Sequence, residues 1–190
     1  MIDDPFIDLV VAVVGSLETA GIPYAITGSI ASGIHGEPIP SQDVDIVVRM
    51  TYSQATKLHE VLPQRFYRSL ERLQEAARSG GVANLVDTDT GLKVDLSSVK
   101  QDAFFDAVML RARPTSYGAS APDFVTVTPE DVVLMKLVWR KDSRSDKQWK
   151  DALGVAKIKG ARMDWKYLFE QAELLGIEGD LTKLRDEAGI

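Results

Sequence analysis

Two aspartates, Asp43 and Asp45, alternate with the apolar residues Val44 and Ile46 in a β-rich segment of the chain. Because successive side chains of a strand point to opposite faces, both carboxylates project to one face while Val44 packs toward the core. Carboxylates crowded on one face repel each other unless a cation lies between them. Since Mg²⁺ prefers oxygen ligands, a metal site is one interpretation of the pair.

A third acid, Asp95, has the same alternation in the segment Lys93-Val94-Asp95-Leu96. This pattern aims Asp95 at the face of the first two acids if the two strands are neighbours. An isolated Asp-x-Asp pair is also typical of a strand edge that carries solubilising charges. The third acid favours a metal site over that interpretation.

A glycine-serine turn, Gly28-Ser29, precedes the acids, with residues 30–42 between Ser29 and Asp43. Gly28 lets the backbone approach a ligand closely, and the free amides of a helix start, with the Ser29 hydroxyl, bind phosphate. Such a turn is weak evidence alone. Together with the acids it predicts a site for a metal-bound nucleotide.

The hydrophobic pattern places these residues on alternating helices and strands. Strands are expected at 24–26, 44–48, 66–67, 82–86, 92–96 and 124–127, and helices at 6–17, after Ser29, at 53–62, between 68 and 80 and at 102–110. Residues 129–190 are expected to be helical, in three stretches separated by Gly160 and by 176–179. This predicts an α/β (α+β) domain at 1–128 and a C-terminal helical region at 129–190 packed on it.

The composition limits the kinds of protein that fit. The chain has 190 residues, no cysteine and two histidines, which leaves oxygen ligands for any metal. It has neither a basic leader nor a long apolar stretch, so we expect a soluble cytoplasmic protein. A net charge of -6 argues against an extended nucleic-acid surface, although residues 140–162 are locally basic.

At the Gly28-Ser29 turn, the Asp43/Asp45 pair and Asp95, the sequence resembles the nucleotidyltransferase superfamily over residues 23–96. The resemblance is strongest to small stand-alone bacterial members and to toxins of the AbiEii type. It implies a mixed sheet flanked by helices. It also implies that the three acids are catalytic and hold two Mg²⁺ ions, with Mn²⁺ as an alternative, while a nucleoside triphosphate such as ATP binds through them and the turn.

The same resemblance assigns a phosphate-binding lysine to the C-terminal helices, where Lys136 stands alone inside an apolar run. A structural ion pair is an equally open interpretation of that lysine. Asp146 and Asp151 belong to a charged segment that resembles the family only loosely, and either residue can instead cap or pair within a helix. His35 follows the turn and is interpreted as local structure.

The resemblance implies transfer of a nucleoside monophosphate to an acceptor hydroxyl on a protein, a transfer-RNA end or a small molecule, with a toxin-antitoxin or defence role and a partner protein as further hypotheses. A haloacid-dehalogenase-like phosphatase is a rival, but its aspartyl motif follows an apolar strand, whereas residues 38–42 precede Asp43 here. A degenerate relative that binds nucleotide or a partner protein without turnover is the other alternative.

Overall fold

A computed structural model describes residues 4–37, 41, 43–100, 102–118 and 121–190, without the Asp142 side chain. Its helices are α1 (Pro5–Ala20), α2 (Gly28–His35), α3 (Tyr52–Val61), α4 (Leu70–Ser79), α5 (Ala103–Arg111), α6 (Pro129–Ser143), α7 (Asp146–Lys159), α8 (Trp165–Leu175) and α9 (Glu178–Ala188). The strands are β1 (Tyr24–Ile26), β2 (Asp43–Val48), β3 (Phe66–Tyr67), β4 (Gly81–Asp87), β5 (Lys93–Ser98), β6 (Arg113–Thr115) and β7 (Phe124–Thr126). Within these ranges, no helix combines the length and apolar character needed to cross a membrane.

Two compact units divide the chain: residues 1–26 with 41–126, and residues 27–40 with 127–190. The first unit contains the described strands together with α1, α3, α4 and α5. The second contains α2 and the C-terminal helices α6 to α9. This grouping differs from the predicted division near residue 128 because α2, which carries the glycine-serine turn, belongs with the C-terminal helices.

The first unit is built on a seven-stranded sheet, counted over the described residues, with the order β3-β4-β5-β2-β1-β7-β6. The β2–β5 and β1–β7 pairs are parallel, and the remaining neighbours are antiparallel. Helix α4 contacts β4 and β5, and α3 contacts both α4 and α1. The predicted fold class, a mixed sheet flanked by helices, is therefore confirmed.

One face of the central strands forms the core of this unit. Val44, Ile46, Val94, Leu96 and Leu85 alternate with more polar residues along β2, β5 and β4, and all five are fully buried. Burying a side chain of this size contributes about 1.5–3 kcal/mol. These contributions fix which face of each strand points inward, because a slip of one residue would turn every apolar side chain outward.

The second unit is a helical cluster in which α6 packs on α2, α7 and α8. Thr128 caps α6 by accepting the Asp131 backbone N–H, and Pro129 occupies the first turn, as the sequence predicts. The C-terminal end of α2 lies very close to α7. A Cβ at Gly36 would lie 2.8 Å from the Val155 backbone nitrogen, so only glycine allows this approach.

Two local features differ from the sequence-based prediction. No strand is predicted at 113–115, where the structure has β6; Pro114 in its centre is tolerated because β6 is the edge strand, where a missing N–H costs no ladder hydrogen bond. The C-terminal region contains four α-helices in its described part rather than three stretches. The additional break lies at Arg144, a non-glycine residue with a φ of 51°, so no glycine or proline marks it.

Candidate functional site

The three acids of the predicted metal site lie on neighbouring strands of the first unit. Strands β2 and β5 are parallel, with Asp45 directly opposite Asp95 and Asp43 opposite Lys93. Since alternate residues share a face, Asp43, Asp45 and Asp95 all lie on the face opposite the buried valines and leucines. Asp43 is exposed, whereas Asp45 and Asp95 are half-buried. The strand pairing on which the placement of Asp95 depends is therefore present.

Two residues that the sequence interpretation missed share this acidic face. Asn84 of β4 lies opposite Asp95 in the antiparallel β4–β5 pair, and its Nδ2 donates to Asp95 Oδ1 at 2.6 Å. Lys93, two residues before Asp95, is exposed opposite Asp43. The hairpin register identifies Asn84 only when the loop is placed at 88–91, which pairs residue 87 with 92 and hence 84 with 95. The predicted loop at 87–91 is one residue too long and pairs 83 with 95.

The three carboxylates suit a hard divalent cation, both because they offer oxygen ligands and because they lie on one face of the sheet. Three carboxylates on adjacent strands supply the oxygen ligands that Mg²⁺ prefers, and neighbouring strands are about 4.8 Å apart. Among the described residues, however, no group of three or more Asp, Glu or His side chains is gathered closely enough to hold a metal ion. The three acids thus match a cation site in residue type and strand register, but their side chains are not drawn together.

In the second unit, the glycine-serine turn has the geometry of an uncapped helix start. Gly28 begins α2 with a φ of 65°, a conformation that favours glycine. Thr27, at the N-cap position, makes no side-chain cap; its hydroxyl instead donates to Met135 Sδ at 3.5 Å. The first amides of a helix have no intrahelical acceptor. This start, with the buried Ser29 beside it, is the kind of helix terminus that can present amide donors to an anion.

Lys136, the predicted phosphate-binding lysine, forms a buried ion pair in the second unit. Its Nζ lies 2.7 Å from Asp151 Oδ2, and the two side chains are 3% and 5% exposed. The pair joins α6 to α7, so Asp151 does not pair within its own helix. Asp146, by contrast, lies exposed in the first turn of α7. Asp151 is thus the partner that the interpretation of Lys136 as half of a structural ion pair requires. Phosphate binding by Lys136 stays a prediction.

His35 is held inside the second unit at the end of α2. Its Nε2 lies 2.8 Å from the Val127 carbonyl oxygen, so that nitrogen donates. Burial lowers the pKa of His35, and the positive charge of Lys159 acts in the same direction. The Val127 carbonyl and Glu130 favour the protonated form but do not reverse the shift. This matches the interpretation of His35 as local structure.

We expect the lowered pKa of His35 to make the folded protein lose stability as the pH falls. In the unfolded chain His35 takes up a proton near its ordinary pKa of 6.5, whereas in the folded chain it does so only at lower pH. The contribution of His35 to the free energy of unfolding is therefore complete above pH 6.5 and is lost as the pH falls below that value. Urea unfolding of wild type and His35→Gln at pH 7.5 and 5.5 checks this. The wild type should lose more, and His59→Gln should behave like the wild type. An equal loss in all three proteins contradicts the assignment.

The sequence and the fold were compared with those of known proteins. Neither a family model nor a curated protein matches the sequence. The solution structure of the antibiotic-resistance factor ANT(2'')-Ia matches with a TM-score of 0.54 at 11% identity, covering 96% of this chain and 94% of that one. An antigenic nucleotidyltransferase-like protein from Paracoccidioides brasiliensis matches with a TM-score of 0.54 at 15% identity, covering 95% and 92%.

A crystal structure of ANT(2'')-Ia in complex with adenylyl-2''-tobramycin has a TM-score of 0.50 at 12% identity, covering 90% of this chain and 95% of that one. At these identities the likeness establishes the fold and leaves the activity to be tested. The matched proteins are aligned over nearly their whole lengths. The resemblance read from Gly28, Ser29, Asp43, Asp45 and Asp95 is confirmed at the level of architecture: this chain has the nucleotidyltransferase fold.

Proposed function

We propose that this chain is a metal-dependent nucleotidyltransferase, which moves a nucleoside monophosphate from a nucleoside triphosphate to an acceptor hydroxyl. The observation that carries the proposal is the placement of Asp43, Asp45 and Asp95 on one face of adjacent strands in a nucleotidyltransferase fold. Two of the acids, Asp45 and Asp95, lie directly opposite each other. A divalent cation bound between such opposed carboxylates would offset their repulsion.

Each residue has a defined part in the proposed reaction. Asp43, Asp45 and Asp95 would hold the cations, which would supply positive charge to the phosphates. The amides at Gly28 and Ser29 bind phosphate oxygens. Asp95 accepts the proton of the acceptor hydroxyl as its oxygen bonds to the α-phosphorus. The bond between the α-phosphorus and its bridging oxygen breaks, and pyrophosphate leaves.

Three classes of molecule are candidate acceptors. ANT(2'')-Ia has been solved with adenylyl-2''-tobramycin, which favours testing small hydroxylated molecules and ATP first. A protein side chain and a transfer-RNA end remain candidate acceptors. A toxin-antitoxin or defence role of the AbiEii type, a partner protein and a cytoplasmic location are proposed from the motif resemblance and the composition.

A second candidate function is nucleotide or partner binding without turnover. The observation that favours it is that, in the described part of the chain, the acids are not gathered into a metal cluster. The adjacent strands argue against it, because Asp45 lies directly opposite Asp95 and the two carboxylates share one face of the sheet. Turnover separates the two candidates, because only the enzyme transfers label from a nucleoside triphosphate to an acceptor.

Thermal unfolding tests the Mg²⁺-dependent nucleotide binding that the proposed reaction requires. We expect one nucleoside triphosphate to stabilise the wild type in the presence of Mg²⁺, by about 1.4 kcal/mol at ten times its dissociation constant. The Asp43→Asn/Asp45→Asn variant should lose this stabilisation. The matched control, Asp89→Asn/Asp123→Asn, makes the same charge change at exposed acids of the first unit and should keep it. Stabilisation that does not need Mg²⁺, or none with any nucleotide, contradicts the proposed reaction.

A further inference from the structure

Asn84 makes a direct hydrogen bond to the third acid of the acidic face. Its Nδ2 lies 2.6 Å from Asp95 Oδ1. An ionised carboxylate only accepts hydrogen bonds, so the amide nitrogen must be the group that faces it. The two residues are exact register partners in the β4–β5 hairpin, where opposite Cβ atoms of an antiparallel pair lie about 4.5–5.5 Å apart.

The order of the strands decides what this bond does to Asp95. Strand β5 lies between β4 and β2, so Asn84 and Asp45 flank Asp95 on opposite sides along the sheet. The amide therefore occupies one carboxylate oxygen from the side away from Asp45. The second oxygen of Asp95 is left for a cation or for an acceptor hydroxyl.

The bond also opposes the motion that repulsion would cause. Asp45 and Asp95 are like charges on neighbouring strands, about 4.8 Å apart at the backbone, and an unrestrained Asp95 would sample several rotamers. A donor on β4 selects one orientation before any ligand binds. Lys93, the other polar neighbour on β5, lies opposite Asp43 and not opposite Asp95, so it does not duplicate this restraint.

We propose that Asn84 is a positioning residue, which orients the Asp95 carboxylate for cation binding and nucleotidyl transfer; this inference rests on the proposed function. Asn84 touches neither nucleotide nor acceptor in this proposal and acts through Asp95 alone. Partners that orient metal ligands typically change metal affinity by about 10–100-fold when they are removed. Because Asn84 is exposed, its removal should leave the stability of the unliganded protein nearly unchanged.

The test measures Mn²⁺ binding by electron paramagnetic resonance in the presence of a non-hydrolysable nucleotide analogue. Asn84→Ala should weaken Mn²⁺ binding by about tenfold or more. Asn84→Gln, which keeps an amide donor, should recover most of the affinity. Val82→Ala is the matched control, since Val82 is exposed on the same strand and face and pairs with Ser97 rather than an acid. It should bind Mn²⁺ like the wild type.

The outcomes separate this inference from the proposed function. If the wild type binds no Mn²⁺ with the analogue, the proposed function fails and the inference fails with it. If the wild type binds Mn²⁺ and Asn84→Ala binds it equally well or more tightly, only the inference is overturned. Unfolding midpoints without ligand show whether an affinity loss comes from misfolding, and recovery by Asn84→Gln excludes that explanation independently.

Discussion

Replacing Asp95 with asparagine is expected to slow nucleotidyl transfer by about 10²–10⁴-fold, the range typical for loss of a general base. Asparagine keeps the size of the side chain and can still pair with Asn84, but it neither accepts the hydroxyl's proton nor carries charge. The rate is measured as transfer of label from an α-phosphate-labelled nucleoside triphosphate to a panel of acceptors. The panel contains proteins, transfer RNA and aminoglycosides.

The control for this prediction separates chemistry from folding and from charge. Asp89→Asn removes one negative charge in the loop of the same hairpin, at an exposed residue, and should transfer label at the wild-type rate. Asp95→Asn should still bind nucleotide in the thermal unfolding assay, because Asp43 and Asp45 are retained, but more weakly than the wild type, because one cation ligand is lost. A transfer rate in Asp95→Asn within a factor of two or three of the wild type would remove Asp95 from the proposed mechanism.

The acidic face could be predicted because its positions follow from local rules. Alternation puts Asp43 and Asp45 on one face of a strand, and the buried valine between them fixes which face that is. The hairpin that carries Asp95 was predicted, but with its loop at 87–91, which pairs residue 83 with Asp95 in place of Asn84, so its register needed the folded structure. The pairing of β2 with β5 needed it too, because it joins segments that are about 50 residues apart in the chain.

Other features could not be predicted because they depend on how helices pack. The partner of Lys136 lies on the next helix, and no periodicity within α6 identifies Asp151 as the residue that faces it. The grouping of α2 with the C-terminal helices depends on the close approach of Gly36 to α7. The break at Arg144 follows a left-handed backbone conformation that its residue type does not favour.

Removing Asp151 is expected to destabilise the protein by about 3–5 kcal/mol, because it leaves the Lys136 ammonium buried without its carboxylate. The Asp151→Leu variant tests this by urea unfolding. Lys136→Met should cost a similar amount, since it leaves the opposite charge buried. The exposed Lys150→Met, on the same helix as Asp151, is the control and should change the free energy of unfolding by less than about 0.5 kcal/mol.

The double variant Lys136→Met/Asp151→Leu then decides between the two interpretations of Lys136. Replacing both partners of a buried ion pair with apolar residues is often neutral or stabilising, so the double variant should recover most of the lost stability. A lysine that serves only the fold can be removed in this way without affecting nucleotide binding. A lysine that also binds phosphate cannot be removed without loss of nucleotide binding. In that case the folded double variant would lose the nucleotide-dependent stabilisation seen in the wild type.

Both measurements on the double variant therefore carry information about the second unit. Recovered stability with intact nucleotide binding would remove Lys136 from the proposed phosphate-binding residues and leave Gly28 and Ser29 in that role. Recovered stability with lost nucleotide binding would assign Lys136 to the triphosphate, with Asp151 as the residue that holds its ammonium in place. If the double variant stays as unstable as Asp151→Leu, the buried pair is not the source of the destabilisation, and the lost packing of α6 on α7 is.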